Sequence, residues 1–194
     1  MYRALGVIVA VLGSSLGGAA ATPNAVAVGE APVEIRDMAE FSLTMTGAAT
    51  TWQFSIPAGT YRDAAGDVQQ FSSAVAYVCT GTSDNPHYSS GSSGVIAKSR
   101  VSCTGPNSTI PIRVLSLLGR TTTNSISSLK IVKESEYPQS VVVNGPARTW
   151  YVPELGENGA KRGAYFRASH AGQSVPPMQT FSTRGGASKF VYVK

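Results

Sequence analysis

One short segment of the chain contains the residue types of a serine hydrolase. Asp84 precedes His87 by three positions, and residues 83–94 around them are rich in serine. An imidazole oriented by a carboxylate can accept the proton of a serine hydroxyl, which makes that hydroxyl a nucleophile. Because serine is abundant throughout this segment, we expect His87 to be a solvated loop residue, and we keep catalysis by His87 and Asp84 as the alternative.

Two glutamates are the second candidate for acid–base chemistry. Glu154 and Glu157 lie in the segment between Pro153 and Gly159. A pair of carboxylates can divide the roles of general acid and general base, as in glycosidases. The same composition is typical of an exposed acidic turn. We expect the turn, and a hydrolase that uses Glu154 and Glu157 remains the alternative.

The other motifs add no catalytic or metal site. Residues 13–17 match the G-x-S-x-G pattern of a nucleophilic serine, but they lie in an N-terminal segment that we expect to be removed. Asp63 and Asp67 flank a glycine-containing segment, and we expect a turn there without calcium. Of the two histidines in the chain, we expect His170 to lie on the surface at a strand end. We therefore expect no metal and no cofactor.

The first 21 residues are ordered like a secretory signal peptide. Arg3 provides a positive charge, residues 4–16 are uncharged and apolar, and small residues follow up to Ala21. Such a segment is cleaved after the small residues, and the mature chain is exported. We predict a secreted or extracellular protein, or a periplasmic one if the host is Gram-negative. The predicted organisation is a signal peptide (1–21), a flexible leader (22–31) and a single domain (32–194).

Export decides how the only two cysteines, Cys79 and Cys103, are interpreted. Each ends a segment of alternating apolar and polar residues, and the alternation directs both side chains inward. Outside the cytoplasm two such cysteines form a disulfide most simply. The C-x-x-C spacing of redox and metal motifs is absent. The sequence therefore predicts a structural Cys79–Cys103 disulfide.

Adjacent aromatic residues indicate one candidate binding surface. Trp150 and Tyr151 follow each other in a predicted strand, so their side chains must point to opposite faces. One of the two is then exposed or at an interface, where an aromatic ring can stack on a ligand. Trp52 alternates with Phe54 and Ile56 and is predicted to belong to the core instead.

Apolar residues recur at every second position through most of the chain, as in half-buried strands. Gly, Pro and Asn clusters separate these segments, and Asn144-Gly145 is a strong hairpin signal. We predict an all-β fold, a single antiparallel β-sandwich of immunoglobulin-like or jelly-roll-like topology with about nine to eleven strands. The clearest alternating sets are Phe41, Leu43, Met45; Trp52, Phe54, Ile56; Tyr77, Cys79; Val95, Ala97, Val101, Cys103; and Ile110, Ile112, Val114, Leu118.

The charge distribution limits the partners that we expect. The formal net charge is +5, but the basic residues are scattered and form no block of like charges. A dispersed excess of this size favours solubility, so we do not expect nucleic-acid binding. After the predicted signal peptide no apolar run is long enough to span a membrane as a helix. The expected partner is an extracellular or cell-surface ligand.

Several short segments resemble small exported β-sandwich proteins of unassigned function from actinobacteria. They include Tyr77 to Cys79, residues 97–104, Ile112 to Val114 and residues 163–165. The resemblance implies a β-sandwich in which one cysteine-bearing strand pairs with another, and it implies no activity. From all of these observations we predict an exported, non-enzymatic protein with a binding or structural role. The alternatives are a secreted hydrolase, a fimbrial-type subunit and a membrane-active toxin.

Overall fold

The computed structural model describes residues 35–56, 60–62, 68–70, 77–106, 109–175 and 185–194. The predicted signal peptide, the predicted leader, and Asp63 and Asp67 lie outside these residues. The described part contains one α-helix, a short 3₁₀ helix (Ile126–Ser128) and twelve strands. Their bounds are α1 (Ile35–Thr44), β1 (Thr51–Ile56), β2 (Thr60–Arg62), β3 (Val68–Gln70), β4 (Tyr77–Ser83), β5 (His87–Ser89), β6 (Gly94–Thr104), β7 (Thr109–Thr121), β8 (Lys130–Val142), β9 (Arg148–Val152), β10 (Ala164–Ser174), β11 (Gly186–Ala187) and β12 (Val191–Val193).

Ten of these strands form two five-stranded antiparallel sheets. In sheet I, β6 pairs with β4 and β5 along one edge and with β9 along the other, and β1 pairs with β4. In sheet II, β7 lies between β8 and β10, and the outer edge of β10 pairs with β11 and β12. Strands β2 and β3 form a separate hairpin. The predicted all-β, sandwich-like fold is confirmed.

The core lies between the two sheets, because alternate residues of each strand point to the opposite sheet. One cluster joins Trp52, Phe54 and Trp150 of sheet I to Ile112 and Val114 of sheet II. A second cluster joins Val95 and Ala97 to Leu118, Phe166 and Ala168. The predicted core position of Trp52 is correct.

The predicted disulfide is confirmed. Cys79 in β4 and Cys103 in β6 lie directly opposite each other, with Cα atoms 4.1 Å apart and a bond between their sulfurs. Both side chains are buried in the core cluster with Trp52 and Trp150. The disulfide therefore joins two neighbouring strands of sheet I on the face that meets sheet II.

The predicted strand at Phe41, Leu43 and Met45 is wrong, because Ile35–Thr44 form helix α1. The buried residues of the helix are Ile35, Met38, Ala39, Ser42 and Leu43, a spacing of three and four that places them on one face. That face packs on Leu115, Leu117 and Ala171, on the side of sheet II that faces away from sheet I. Phe41 is 54% exposed. In this short segment the apolar residues fit both the alternation of a strand and the spacing of a helix. Packing on the apolar outer face of sheet II favours the helix.

The predicted hairpin at Asn144-Gly145 is also wrong. The turn is present, since the Gly145 amide donates to the Val142 carbonyl at 3.1 Å and Asn144 has φ +58°. It joins β8 of sheet II to β9 of sheet I, however, and these two strands do not pair with each other. The same local turn serves here as a crossing between the sheets.

Candidate functional site

The structure does not assemble His87 and Asp84 into a catalytic pair. Both oxygens of the Asp84 carboxylate are bound by the Arg100 guanidinium, at 3.0 and 2.7 Å. His87 is exposed, and its Nδ1 lies 3.2 Å from the carbonyl of Asn85. Within the described residues no hydrogen bond joins His87 to Asp84 or to a serine hydroxyl.

Glu154 and Glu157 are exposed residues of one turn, in which the Glu157 amide donates to the Glu154 carbonyl at 3.1 Å. Neither glutamate lines either of the two cavities described below. Acid–base catalysis requires the two carboxylates to flank a bound substrate, and the cavities supply no place for one beside this turn.

The predicted Trp150 surface needs a correction. Trp150 is fully buried between the sheets, and its indole Nε1 donates to the Tyr137 carbonyl at 2.9 Å. Its neighbour Tyr151 is half-buried and has the Lys98 ammonium 5.4 Å from its ring centre. Alternation separated the two rings as expected, and it placed the larger one in the core.

The expected surface position of His170 is wrong as well. His170 lies within β10, is completely buried between the sheets, and has its Nδ1 2.8 Å from the Ser116 hydroxyl of β7. Burial disfavours the charged imidazolium and lowers the pKa of His170 to about 3. His170 is therefore neutral at ordinary pH, and the geometry gives it a structural role.

A cavity of about 570 Å³ lies on the outer face of sheet II, beyond the C-terminal end of α1. It is lined by residues 46–48, 124–126 and 188–190 together with Arg167, and we call it the Arg167 pocket. Three chain segments far apart in the sequence therefore meet around one strand residue. The volume falls within the range of about 300–1,000 Å³ that is usual for small-molecule sites.

Arg167 occupies the wall of this pocket because β10 alternates. Phe166 and Ala168 point toward sheet I, so Arg167 points to the other side, where Ser169 also donates to the Ala39 carbonyl of α1. The helix ends at Thr44, and the loop after it, not the helix, lies against Arg167. Gly47 has φ +91°, a conformation that glycine adopts without strain, and the chain reverses there over the guanidinium.

The guanidinium of Arg167 is held at the end of the helix. Its Nη1 donates to the Met45 carbonyl at 2.6 Å, and its Nη2 donates to the Gly47 carbonyl. These carbonyls follow the C-terminus of α1, where the helix dipole favours a cation. The buried Nε has no hydrogen-bond partner among the described residues. The contacts fix the position of the charge and leave part of its donor capacity unused.

No acid among the described residues neutralises this charge. Arg167 is 1% exposed, and it takes part in none of the ion pairs of the described residues. The residues that line the pocket include a second cation, Lys189, and no Asp or Glu. Burial lowers the pKa of Arg167 from its usual value, but an arginine side chain stays protonated in proteins. The pocket therefore carries positive charge.

A smaller cavity of about 140 Å³ lies on the other side of the same loop. It shares Arg167 and residues 46–48 with the larger pocket and extends to Ser42 under the helix. Arg167 thus lines both cavities.

Sequence reasoning missed Arg167 because it treated the residue as one of many scattered basic residues. One signal was present. Arg167 stands in an alternating strand between Phe166 and Ala168, with Ser169 and Ala171 at the following positions of its own face. Small and apolar neighbours on both faces indicate a strand covered on both sides, where an arginine needs a specific partner.

The described residues contain no group of three or more His, Cys, Asp or Glu side chains that could hold a metal ion. Among the described helices, none has the length and apolar character needed to cross a membrane.

The chain matches no protein-family model, and a search of curated proteins finds no significant match.

Proposed function

We propose that this chain is an exported, non-enzymatic β-sandwich protein that binds an anionic ligand in the Arg167 pocket. The observation that carries the proposal is the buried guanidinium of Arg167, which lies on a cavity wall and has no acidic partner in the part of the chain that the structure describes. A buried cation is expensive unless it is paired. A ligand carboxylate or phosphate would supply the missing opposite charge and strong charge-assisted hydrogen bonds.

Three further features support this proposal. The two carbonyls that hold Arg167 fix its guanidinium before the ligand arrives, which reduces the entropy lost on binding. Lys189, exposed at the mouth of the pocket, adds a charge that attracts anions from solution. The Cys79–Cys103 disulfide suits a chain that functions outside the cytoplasm, as the predicted signal peptide requires.

The alternative functions receive less support from the geometry. For a hydrolase, His87 and the two glutamates lie outside the cavities. For a fimbrial-type subunit, the last strand, Val191–Val193, already pairs with β10 of its own sheet. A chaperone that uses this strand in place of β10 would have to compete with that pairing.

A nitrogen-15 NMR titration tests the proposal directly. Benzoate and inorganic phosphate serve as probes, and benzamide, which has the same ring as benzoate without its charge, serves as the neutral control. We expect the Arg167 Nε–Hε signal to shift in a saturable way with at least one anion and to stay in place with benzamide. Arg167→Lys assigns the signal by removing it.

Arg162 provides the matched control, because it is a surface arginine stacked 5.1 Å over the Tyr88 ring, away from the pocket. Arg162→Lys should leave the titration of Arg167 unchanged. An Arg167 signal that no anion moves, up to concentrations at which the Arg162 signal responds to bulk salt, would contradict the proposed function.

A further inference from the structure

The Arg167 pocket continues into an aromatic patch on the same face of sheet II. Phe190 lies beneath the Arg167 guanidinium, with 5.3 Å between the guanidinium carbon and the ring centre. Tyr165 lies two residues before Arg167 in β10 and so points to the same face as Arg167, as does Tyr192, which pairs with Tyr165. The ring centres of the two tyrosines are 5.1 Å apart in an edge-on arrangement. Phe190, Tyr192 and Tyr165 together form what we call the aromatic patch.

The aromatic patch is accessible. Tyr192 is 49% exposed, and Tyr165 and Phe190 are half-buried. Helix α1 packs on the other half of β10, around Ala171 and Ser169. The patch therefore extends the buried cation of the pocket into an exposed platform of ring faces and edges.

The polar lining distinguishes between classes of anionic ligand. Thr46 and Asn124 line the pocket beside the apolar Ala48 and Ile126, and their exposed side chains make no hydrogen bond to a described residue. The hydroxyls of Ser125 and Ser188 are already paired within the chain. A fatty acid would cover Thr46 and Asn124 without offering them partners, which costs free energy. A ligand with several hydroxyl groups can pair with them, and the flat C–H faces of its rings can lie on aromatic side chains.

From this combination we infer that the ligand is an acidic saccharide. Its carboxylate binds Arg167 and Lys189, its hydroxyl groups pair with the polar lining, and a neighbouring sugar ring lies on Tyr192 and Phe190. The inference rests on the proposed function and adds the ligand class. Charge complementarity carries it, since the described lining of the pocket has two cations and no acid, and exposed aromatic rings lie beside it.

Calorimetry with three defined probes tests the ligand class. Trigalacturonic acid carries carboxylates on sugar rings, maltotriose is a neutral trisaccharide, and benzoate is an acid without hydroxyl groups. We expect trigalacturonic acid to bind at least about 10-fold more tightly than maltotriose, because charged hydrogen bonds to Arg167 are lost with the neutral sugar. It should also bind more tightly than benzoate.

Surface variants keep the test independent of folding. Tyr192→Ala should raise the Kd for trigalacturonic acid about 3- to 10-fold and leave the Kd for benzoate unchanged. Lys189→Met should raise the Kd for both acids. The matched control is Tyr88→Ala, since Tyr88 is 44% exposed and lies beside an arginine at a separate place. Its effect on the Kd should be less than 2-fold.

The outcomes separate the two proposals. Maltotriose binding as tightly as trigalacturonic acid, or a Tyr192→Ala Kd equal to that of the parent chain, overturns the saccharide inference. If benzoate still shifts the Arg167 Nε–Hε signal in that case, the proposed anion site stands without it. If none of trigalacturonic acid, benzoate and inorganic phosphate shifts this signal, both proposals fail.

Discussion

Two basic residues of β10, three positions apart, lie in different surroundings on the two faces of the strand. His170 points into the space between the sheets, where it is completely buried and bonded to Ser116. Arg167 points to the opposite side and is equally hidden from water, but it lies on the wall of a cavity. Both side chains are buried, but only Arg167 borders the cavity.

The protonation chemistry of the two side chains explains the difference. An imidazole can lose its proton, so His170 avoids the cost of a buried charge by being neutral. A guanidinium keeps its proton and must be compensated by carbonyl dipoles or by an anion. A neutral histidine buried in the core therefore needs no ligand and can have a purely structural role. A buried arginine beside open space, with no acid near it among the described residues, is the reason we propose an anion site there.

The largest expected effect is an acid-induced loss of stability caused by His170. Its pKa is about 3 in the folded protein and near its usual 6.5 when unfolded. The unfolded state therefore binds the extra proton between these values, and the free energy of unfolding falls as the pH decreases from 6.5 toward 3. The full loss amounts to about 5 kcal/mol. Urea unfolding at a series of pH values measures it.

His170→Gln isolates this contribution from that of the carboxylates. The variant should lose the part of the slope that His170 causes, about 1.4 kcal/mol per pH unit between pH 6 and 4. His87→Gln removes an exposed imidazole and should keep the slope of the parent chain. Equal slopes for His170→Gln and the parent would show that His170 is not buried in its neutral form.

The next largest effect on stability is expected from the disulfide, which also lies in the core between the sheets. Replacing Cys79 and Cys103 together with Ala should lower the free energy of unfolding by about 3.5 kcal/mol, because the unfolded chain loses a cross-linked loop. Denaturant unfolding measures the change. The Arg167 Nε–Hε signal should keep its position. A variant that unfolds at the same urea concentration as the parent would refute the stabilising role.

Arg167→Met tests the opposite face and should have a smaller effect on stability. It removes the donors for the Met45 and Gly47 carbonyls, which should cost about 1–3 kcal/mol. Arg162→Met, at an exposed stacked arginine, should cost about 0.5 kcal/mol or less. Thermal unfolding of the two variants side by side measures the difference. Indistinguishable melting temperatures would mean that Arg167 does not hold the loop after α1.

The smallest expected stability effect belongs to Tyr192→Ala. The side chain is half exposed and loses one edge-on contact with Tyr165, so the cost should be about 1 kcal/mol or less. Chemical denaturation measures it. We expect this change to affect binding more than folding, in contrast to the changes at His170. A loss of several kcal/mol would place Tyr192 among the structural residues.

Much of the fold could be predicted from the sequence because strand alternation is a local pattern. Val95, Ala97, Val101 and Cys103 of β6 are buried as their spacing indicates, and Cys79 meets Cys103. Helix α1 was missed because its short apolar set also satisfies alternation at Phe41, Leu43 and Met45. A ten-residue helix receives most of its stability from packing, and that information lies in Leu115, Leu117 and Ala171.

The candidate site was less predictable, for a reason that Arg167 makes clear. The sequence alone determined the strand that carries Arg167 and the alternation that separates its side chain from His170 three positions later. Only the tertiary structure decided which face would be sealed and which would open to a cavity. The Met45 carbonyl that binds Arg167 is 122 positions away in the chain. Local periodicity encodes the direction of a side chain, whereas its surroundings depend on the distant segments that fold over it.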